Sequence, residues 1–500
     1  MQFSHVRTLL LAGLCITAGG CKKGGDDPTP PPPPPAAALA LLSAQLDNAP
    51  ANASAVNYNV RPTAVLKLSF NNAVKRATVA GNISLLENGV GTVPVTTSYE
   101  RNDSVIVLSS TAPLKYLTRY TASAGSGLQS VNSGSLASAR SFTLQTQIDS
   151  SRKFPLISDD ALLDKVQQQT FKYFWDFGHP VSGLARERNS SGDVVTSGGS
   201  GFAIMAIITA IHRGFITRSQ GFTRLQTMVA FLKNTAQTFH GAYPHWLNGS
   251  TGAVVPFSQK DNGADLVETS YLVQGLLCAR QYFDASGAEA TLRTDINTIC
   301  NRVEWDWFRN GGQNTLYWHW SPNYNWEMNL QIRGWNECLV TYVLAASSTT
   351  HGIPAAVYNN GWKGSASYLN GNTYYGYTLP LGPAQGGPLF FSHYSFMGIN
   401  PNGLLDASAN YATQTRNHTL INYNYSRSNP QNYFGYSDSV WGLTASDIQN
   451  GYTASSPTND VGVIAPTAAL ASFPYTPAES MAALKFYYYV LGDKLFKEYG

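Results

Sequence analysis

The spacing of apolar residues changes once along this 500-residue chain, and that change limits the folds open to it. Between about 40 and 148, apolar and polar residues alternate, as where Leu66, Leu68 and Phe70 are separated by single polar residues. This period of two is typical of β-strands with one buried face. From Ser158 onward the spacing becomes 3.6 residues, the period of an amphipathic α-helix. The sequence therefore predicts a β-rich domain followed by a mainly α-helical domain.

The β-rich domain, residues 39–148, is predicted to be a sandwich of short strands separated by Asn, Gly and Asp turns. Its runs "VLKLSFNNAV", "DSVIVLSS" and "LKYLTRYTASAG" resemble the bacterial Ig-like domains that are appended to secreted proteins. The region contains no cluster of ionisable groups that could perform chemistry. A spacer or packing module is the main interpretation, and a sugar-binding module is the alternative.

The helical domain, residues 150–500, is predicted to be an α/α toroid. Ser158 is expected to cap a first helix on which Leu162 and Val166 share one side. Strands and helices do not alternate, so a parallel α/β sheet is not expected. Further amphipathic segments are predicted at 202–213, 222–238, 264–284, 288–308, 331–347, 404–420 and 478–491.

The N-terminus has the pattern of an exported lipoprotein. An apolar run, Leu9–Ala18, is followed by Gly19-Gly20-Cys21, so residues 1–20 are predicted to be a signal peptide and Cys21 the lipidated residue. A plain secretory leader is the alternative. Residues 21–38 are a linker containing Pro30–Pro35, which favours polyproline II. We expect the protein to be anchored by lipid in the periplasm or on the outer-membrane surface of a Gram-negative bacterium.

Composition restricts the function. Only 13% of residues are charged, 12% are aromatic and the formal net charge is +3, which argues against disorder and against nucleic-acid binding. Abundant Tyr and Trp are common in carbohydrate-active proteins, because aromatic faces pack on sugar rings. Outside the leader and anchor, Cys278, Cys300 and Cys338 are too few for a disulfide framework, and a Cys278–Cys300 bridge is left open.

Three acids in "DNGADLVE" are the main candidate site. Asp261, Asp265 and Glu268 have i, i+4 and i+7 spacing, which is one face of a helix if that helix begins near Asn262. Three unneutralised carboxylates on one face suggest the floor of a carboxylate-based active site. The alternative is an exposed acidic first turn that the helix dipole favours.

Several long motifs of the helical domain resemble the bacterial glycoamylase-like family, which includes the endo-β-1,2-glucanases. They occur in order over 150–500: "YFWDFGHPVSGLARERN", "GSGFAIMAIITAIHRGFITR", "DNGADLVETSYLVQGLL", "IRGWNECLVTYVLAASS", "WGLTASDIQNGY" and "GVIAPTAALASFPYTP". The resemblance implies an (α/α)6 barrel that hydrolyses glucans with inversion at the anomeric carbon.

Inverting hydrolysis needs a carboxylic acid that protonates the leaving oxygen and a carboxylate that activates water. Glu337 fits the acid, since it precedes a strongly apolar run and falls where the family's proposed general acid lies. Asp265, Asp261 and Asp447 are the candidates for the base, and the sequence does not decide among them.

Other residues are predicted to bind substrate or to orient the acids. Glu268, Arg186, Arg188 and Arg333 could contact hydroxyl groups or carboxylates, although structural ion pairs are equally expected for the arginines. Trp175 and Trp305 are expected in the core. The aromatic and imidazole candidates for substrate contact are Trp335, Trp246, Trp318, Trp320, Trp326, His319 and His393.

The sequence therefore predicts an inverting endo-β-1,2-glucanase that releases short oligosaccharides. No cofactor and no metal are expected, the partner is a polysaccharide or oligosaccharide, and the chain is expected to act as a monomer. The alternatives are a glycosidase of another linkage specificity on the same scaffold and a non-catalytic glycan-binding lipoprotein.

Overall fold

The computed structural model describes residues 37–500. The chain divides into two compact units, the first ending at Asp149 and the second beginning at Ser150. The predicted signal peptide, Cys21 and the proline run lie outside the described residues. Within 37–500, no helix has both the length and the apolar character that crossing a bilayer requires.

The first unit consists of two five-stranded sheets. One has the strand order β2-β1-β4-β8-β7 and the other β3-β10-β9-β5-β6. All pairings are antiparallel except that of β10 with β3. The strands are β1 (Leu41–Leu46), β2 (Ala49–Pro50), β3 (Asn57–Val60), β4 (Leu66–Phe70), β5 (Ile83–Glu87), β6 (Gly91–Thr92), β7 (Val95–Glu100), β8 (Val105–Ser110), β9 (Arg119–Ala124) and β10 (Arg140–Thr146).

The predicted period of two is confirmed in this unit. On β4, Leu66, Leu68 and Phe70 are buried while the residues between them are partly exposed. Strands β9 and β10 show the same alternation and contribute to one shared core with β4. The unit therefore has its own hydrophobic core.

The second unit is built mainly from helices. These are α1 (Asp159–Trp175), α2 (Ser197–His212), α3 (Arg218–Asn234), α4 (Leu266–Tyr282), α5 (Ala288–Asn301), α6 (Leu339–Ser347), α7 (Tyr411–Ser428), α8 (Pro466–Ala471), α9 (Pro477–Tyr489) and α10 (Gly492–Leu495). Ser158 caps α1 as predicted, its Oγ accepting the Ala161 N–H at 3.3 Å.

Short antiparallel strands in the connections complete this unit. They are β11 (Val194–Thr196), β12 (Trp246–Asn248), β13 (Val254–Val255), β14 (Ala264–Asp265), β15 (Leu316–Tyr317), β16 (His319–Trp320), β17 (Gln331–Ile332), β18 (Thr373–Tyr374), β19 (Tyr377–Thr378), β20 (Ala445–Ile448) and β21 (Gly451–Ala454). Strand β11, of the sheet β11-β12-β13, directly precedes α2 along the chain, and β14, which pairs with β16, directly precedes α4.

Helices α2 and α4 approach each other unusually closely because glycines lie at their contact. A Cβ on Gly201 would lie 2.1 Å from the Tyr271 carbonyl oxygen, and one on Gly275 would lie 2.2 Å from the Gly201 carbonyl oxygen. Leu272 and Leu276 of α4 are inaccessible to solvent. This contact fixes the first turns of the two helices relative to each other.

Several predicted helices differ from their expected bounds, and the starts of two of them are displaced most. The segment 331–347 is helical only from Leu339, since Gln331–Ile332 pairs with β15 instead. The segment 404–420 becomes 411–428 because the Asn410 side chain accepts the Thr413 N–H and caps the helix there. Strand pairing therefore accounts for the first displacement, and a local side-chain cap for the second.

The cysteines in the described part of the chain are all free thiols. Cys278 and Cys300 are partly buried and Cys338 is buried, so the bridge that the sequence left open is absent.

Candidate active site

The predicted acidic cluster lies at the N-terminus of α4, although only Glu268 is inside the helix. Asp265 is the N-cap, and its Oδ1 accepts the backbone N–H of Val267 at 3.0 Å and of Glu268 at 2.9 Å. Asp261 precedes β14. The single helical face predicted for the three acids is therefore wrong, because Ala264 and Asp265 pair with β16 and delay the helix.

Asp265 is completely buried and has donors at both carboxylate oxygens. Its Oδ2 lies 3.1 Å from His245 Nδ1 and 3.5 Å from His319 Nε2. Burial raises the pKa of this carboxyl, but the hydrogen bonds from the two imidazoles outweigh it and hold the pKa far below its usual range. Asp265 is thus an ionised anchor whose oxygens are already occupied.

The neighbouring carboxylates raise the pKa of both histidines of the cluster. Burial would lower the pKa of His245, but the charge of Glu268 and the hydrogen bond to Asp265 raise it to about 10. The pKa of His319 is also raised, against the effect of burial, by its hydrogen bond with Asp265 and the charges of Asp265 and Asp261. Two imidazole side chains therefore lie in the same charged environment as three carboxyl groups.

Asp261 is buried but less constrained than Asp265. Its Oδ2 lies 3.4 Å from His319 Nε2. Burial and then the charge of Asp265 raise the pKa of this carboxyl. Asp261 thus shares its environment with the carboxylate of Asp265 and contacts His319 through Oδ2.

Glu268 is held by the first turn of α2. Its Oε2 accepts the backbone N–H of Gly198 at 3.1 Å. A Cβ on Gly198 would lie 2.1 Å from the same oxygen, so the contact requires glycine. Burial is the largest cause that raises the pKa of Glu268, and the charge of Asp265 adds to it while His245 opposes it.

Glu337 belongs to the same electrostatic environment, although it is far away in the sequence. It lies two residues before α6 rather than in its first turn, and it is 9% exposed. Its carbonyl oxygen accepts the Ser395 hydroxyl at 2.5 Å and the Tyr271 hydroxyl, from α4, at 3.4 Å. Burial, followed by the charges of Glu268 and Asp265, raises the pKa of Glu337 to about 7.

One group of residues has the donor chemistry of a metal site. Donor atoms of His245, Asp261 and Asp265 all lie within 4.8 Å of one another. However, His245 already donates to Asp265, and its raised pKa keeps the imidazole protonated at neutral pH. The expectation of no metal stays a prediction.

Asp447, the second candidate base, lies on the exposed hairpin β20–β21. Arg188 Nη1 contacts both of its carboxylate oxygens at 2.7 Å. Arg186 has a structural role, because Nε donates to the Gly192 carbonyl at 2.8 Å and Nη1 to the Phe177 carbonyl at 3.0 Å. The structure therefore joins Asp447 to Arg188 and not to the acidic cluster by direct contact.

Four tryptophans predicted to bind sugar lie in two places. Trp246 and Trp318 adjoin the histidines of the cluster, with ring centroids 5.8 Å from His245 and from His319 respectively. Trp320 and Trp326 instead pack on Trp307, at 5.4 Å and 4.7 Å. All four are partly exposed.

Three predicted substrate contacts have structural surroundings instead. Trp335 is 3% exposed and packs on Tyr411, so its ring offers no face to a sugar. His393 is buried, its Nε2 3.1 Å from Ser472 Oγ, and burial lowers its pKa to about 3. Arg333 donates to the Gly361 carbonyl at 3.3 Å. Trp335 and His393 were predicted to be accessible to substrate, but both are buried. Arg333 is exposed, and its predicted contact with substrate stays a prediction.

The two tryptophans that were predicted to lie in the core differ in their burial. Trp305 is buried as expected. Trp175 is only partly buried at the end of α1, where the Arg224 guanidinium lies 4.5 Å from its ring centroid.

The sequence interpretation missed His245, Gly198 and Glu187. Glu187 is partly buried, and its charge contributes to the raised pKa of Glu268 and of Tyr394. The signal for His245 was its place in "YPHW", a short aromatic segment, but its partner Asp265 lies 20 residues later. Such a pairing has no local signature.

Each of the two units contains a region that matches a known protein family. Residues 329–500 match the Glycoamylase family, described as a glucoamylase family, and residues 46–146 match the bacterial Ig-like domain.

Characterised relatives act on β-1,2-linked glucans. An exo β-1,2-glucooligosaccharide sophorohydrolase (non-reducing end) of Parabacteroides distasonis is 44% identical over 378 residues, covering 71% of this chain and 52% of that protein. This chain thus spans about half the length of that relative. The structure of an endo-β-1,2-glucanase from Chitinophaga pinensis, with sophorotriose and glucose, is 50% identical with a TM-score of 0.67, covering 69% of this chain and 86% of that one. A β-1,2-glucanase structure from Parabacteroides distasonis is 36% identical with a TM-score of 0.68, covering 93% of this chain and 66% of that one.

Proposed function

Because this chain belongs to the Glycoamylase family and is 50% identical to an endo-β-1,2-glucanase of Chitinophaga pinensis, we propose that it is an inverting endo-β-1,2-glucanase. It would cleave β-1,2-glucan internally and release short oligosaccharides of the sophorose series. The observation that carries the proposal is Glu337, a buried carboxyl whose pKa of about 7 is raised by burial and by neighbouring acids.

Glu337 is assigned as the general acid. A carboxyl with a pKa near 7 is about half protonated at neutral pH, and the protonated form can give its proton to the bridging oxygen of the scissile linkage. The C1–O bond then breaks with its electron pair on the leaving oxygen. A water attacks C1 from the opposite face and gives a proton to a carboxylate base, so the anomeric configuration inverts.

Two of the predicted acids can serve as the base. We assign Asp265 as an anchor rather than as the base, because donors contact both of its oxygens. Asp261 makes one contact to His319 at 3.4 Å, and Asp447 is exposed to solvent. Alanine variants of Asp261 and Asp447 with added azide discriminate between them. The base variant yields an α-configured glucosyl azide, and if neither variant does so, another group activates the water.

The proposed scaffold is an (α/α)6 barrel with these acids at one mouth. Its support is the close contact of α2 with α4, which brings the first turns of both helices to Glu268, and the hydroxyl contact from α4 to the Glu337 backbone.

An exo-acting sophorohydrolase is the second candidate, and the Parabacteroides distasonis relative favours it. Incubation with β-1,2-, β-1,3-, β-1,4- and α-1,4-glucans, followed by product analysis, separates the candidates. The endo proposal expects mixed short oligosaccharides from β-1,2-glucan alone. Sophorose as the sole early product indicates exo action, cleavage of another glucan indicates a different specificity, and binding without products indicates a non-catalytic glycan-binding protein.

We further propose export and lipid anchoring at Cys21, in the periplasm or on the outer-membrane surface, with the chain acting as a monomer. The support is the sequence of residues 1–21 and the origin of all the acids of the site in one chain. In a Gram-negative host, Cys21→Ser should move the protein from the membrane to the soluble fraction. Membrane retention of that variant would contradict the anchor.

A further inference from the structure

An exposed aromatic ring lies beside the buried charges of the site. Phe257 is 50% exposed, which is unusual for a Phe next to a group of buried ionisable residues. Its ring centroid lies 4.4 Å from that of His245, with the planes 32° apart, and 4.8 Å from that of Trp246. One part of the ring therefore packs on the site while the other part faces solvent.

The backbone holds Phe257 at this position. It lies in the loop between β13 and β14, and its N–H donates to the Asp261 carbonyl oxygen at 2.9 Å. The Asp261 N–H donates back to the Ser258 carbonyl oxygen at 3.1 Å. The same turn therefore carries Phe257 and the acid Asp261, and any shift of one displaces the other.

An exposed aromatic ring beside polar side chains is suited to bind a glucosyl unit, which has an apolar C–H face and hydroxyl groups around its edge. The C–H face of a pyranose packs on a flat aromatic ring, while its equatorial hydroxyls need donors and acceptors at the ring edge. Next to Phe257, the imidazole of His245 can supply one donor, Nε2–H, because Nδ1 already donates to Asp265, and the carboxyl of Asp261 supplies an acceptor.

We propose that Phe257, backed by Trp246, is the aromatic wall of a subsite that holds one glucosyl unit of a β-1,2-linked chain beside the acids. This inference rests on the proposed function, since it deepens the description of the same site. Phe257 binds substrate and takes no part in proton transfer.

The test is calorimetric titration of β-1,2-glucooligosaccharides into the full chain carrying Glu337→Gln, which slows turnover. Adding Phe257→Ala should weaken binding about tenfold, the loss of roughly one aromatic contact. Phe257→Tyr keeps the flat face and should bind like the parent. Phe257→Leu keeps the apolar volume without the flat face and should bind almost as weakly as the alanine variant.

Phe434→Ala is the matched control, because that side chain is 37% exposed and lies elsewhere in the sequence. Binding by this control should equal that of the parent. In the active enzyme, Phe257→Ala should raise KM and leave kcat nearly unchanged, a split that a folding defect would not produce.

The subsite is overturned if Phe257→Ala binds as tightly as the parent, or if Phe257→Leu does. Hydrolysis of β-1,2-glucan by the wild-type chain would still support the proposed function in that case. A wild-type chain that neither binds nor hydrolyses β-1,2-glucan overturns the proposed function, and the subsite with it.

Discussion

At the residue scale, the surroundings of each carboxyl group in the site shift its pKa in a different direction. Asp265 is ionised because four donors surround it, whereas Glu337 is kept protonated by burial and by the charges of Glu268 and Asp265. Different pKa values in neighbouring acids are what acid–base catalysis requires. The anchor and the proton donor can therefore be told apart by experiment.

Replacement of Glu337 tests the proton donor. Glu337→Gln keeps the volume, so the fold should persist, while kcat falls about 10²–10⁴-fold because no proton is donated. In the wild-type protein, activity should fall as pH rises through about 7, because the group must be protonated to act and its pKa lies there. A pH–rate profile checks both points. Glu100→Gln, a surface acid of the first unit, is the control and should keep full activity.

Replacement of Asp265 tests the anchor. Asp265→Ala leaves His245 and two N–H groups at the start of α4 without an acceptor, so the free energy of unfolding should fall by about 3–5 kcal/mol. Azide should not restore activity, because the lost group does not activate water. Denaturant unfolding and azide titration measure the two effects, and a stable variant whose activity azide restores would show that Asp265 is the base.

At the element scale, the contact between α2 and α4 determines where Glu268 lies. The contact depends on glycines, at which even a methyl group would meet backbone or carboxylate atoms. The first turn of α2 then donates its Gly198 N–H to Glu268, at the helix end that favours negative charge. Helix packing and the chemistry of the site are therefore coupled.

Substitution of Gly198 tests this coupling. Gly198→Ala should place its Cβ against the Glu268 carboxylate, displace that group and lower kcat/KM at least tenfold, with about 1–3 kcal/mol of lost stability. Gly451→Ala is the control, since the nearest side-chain atom to its new Cβ would be 3.9 Å away. Equal activity of the two variants would show that Glu268 does not need this contact.

Helices and strands with a clear period were predictable from the sequence, and the convergence of the site was predictable only in part. The alternation on β4 and the Ser158 cap have local signals. The start of α4 was predicted too early, because the pairing of β14 with β16 joins residues about 55 positions apart and leaves no local pattern. For the same reason His245 was missed, and Trp335 and His393 were treated as exposed.

At the scale of the whole molecule, the two units have separate cores. The first unit contains no residue of the acidic cluster, and the second contains all of them. The sequence analysis placed the start of the helical domain at residue 150, where the second unit begins. The role of the first unit as a spacer stays a prediction.

Removal of the first unit tests that role. A chain of residues 150–500 should fold and hydrolyse short β-1,2-glucooligosaccharides with unchanged kcat/KM, because its core and acids are complete within that part. Kinetics on short and long substrates provide the measurement. A loss confined to long glucan would indicate the alternative, a sugar-binding first unit.

The most direct test of the central claim is time-resolved ¹H NMR of β-1,2-glucan hydrolysis by the wild-type chain and by Glu337→Gln. We predict that the first reducing ends formed by the wild-type chain have the α configuration and that the variant forms almost none. Reducing ends that are first β, or α ends formed at the wild-type rate by Glu337→Gln, would contradict inversion or the role of Glu337.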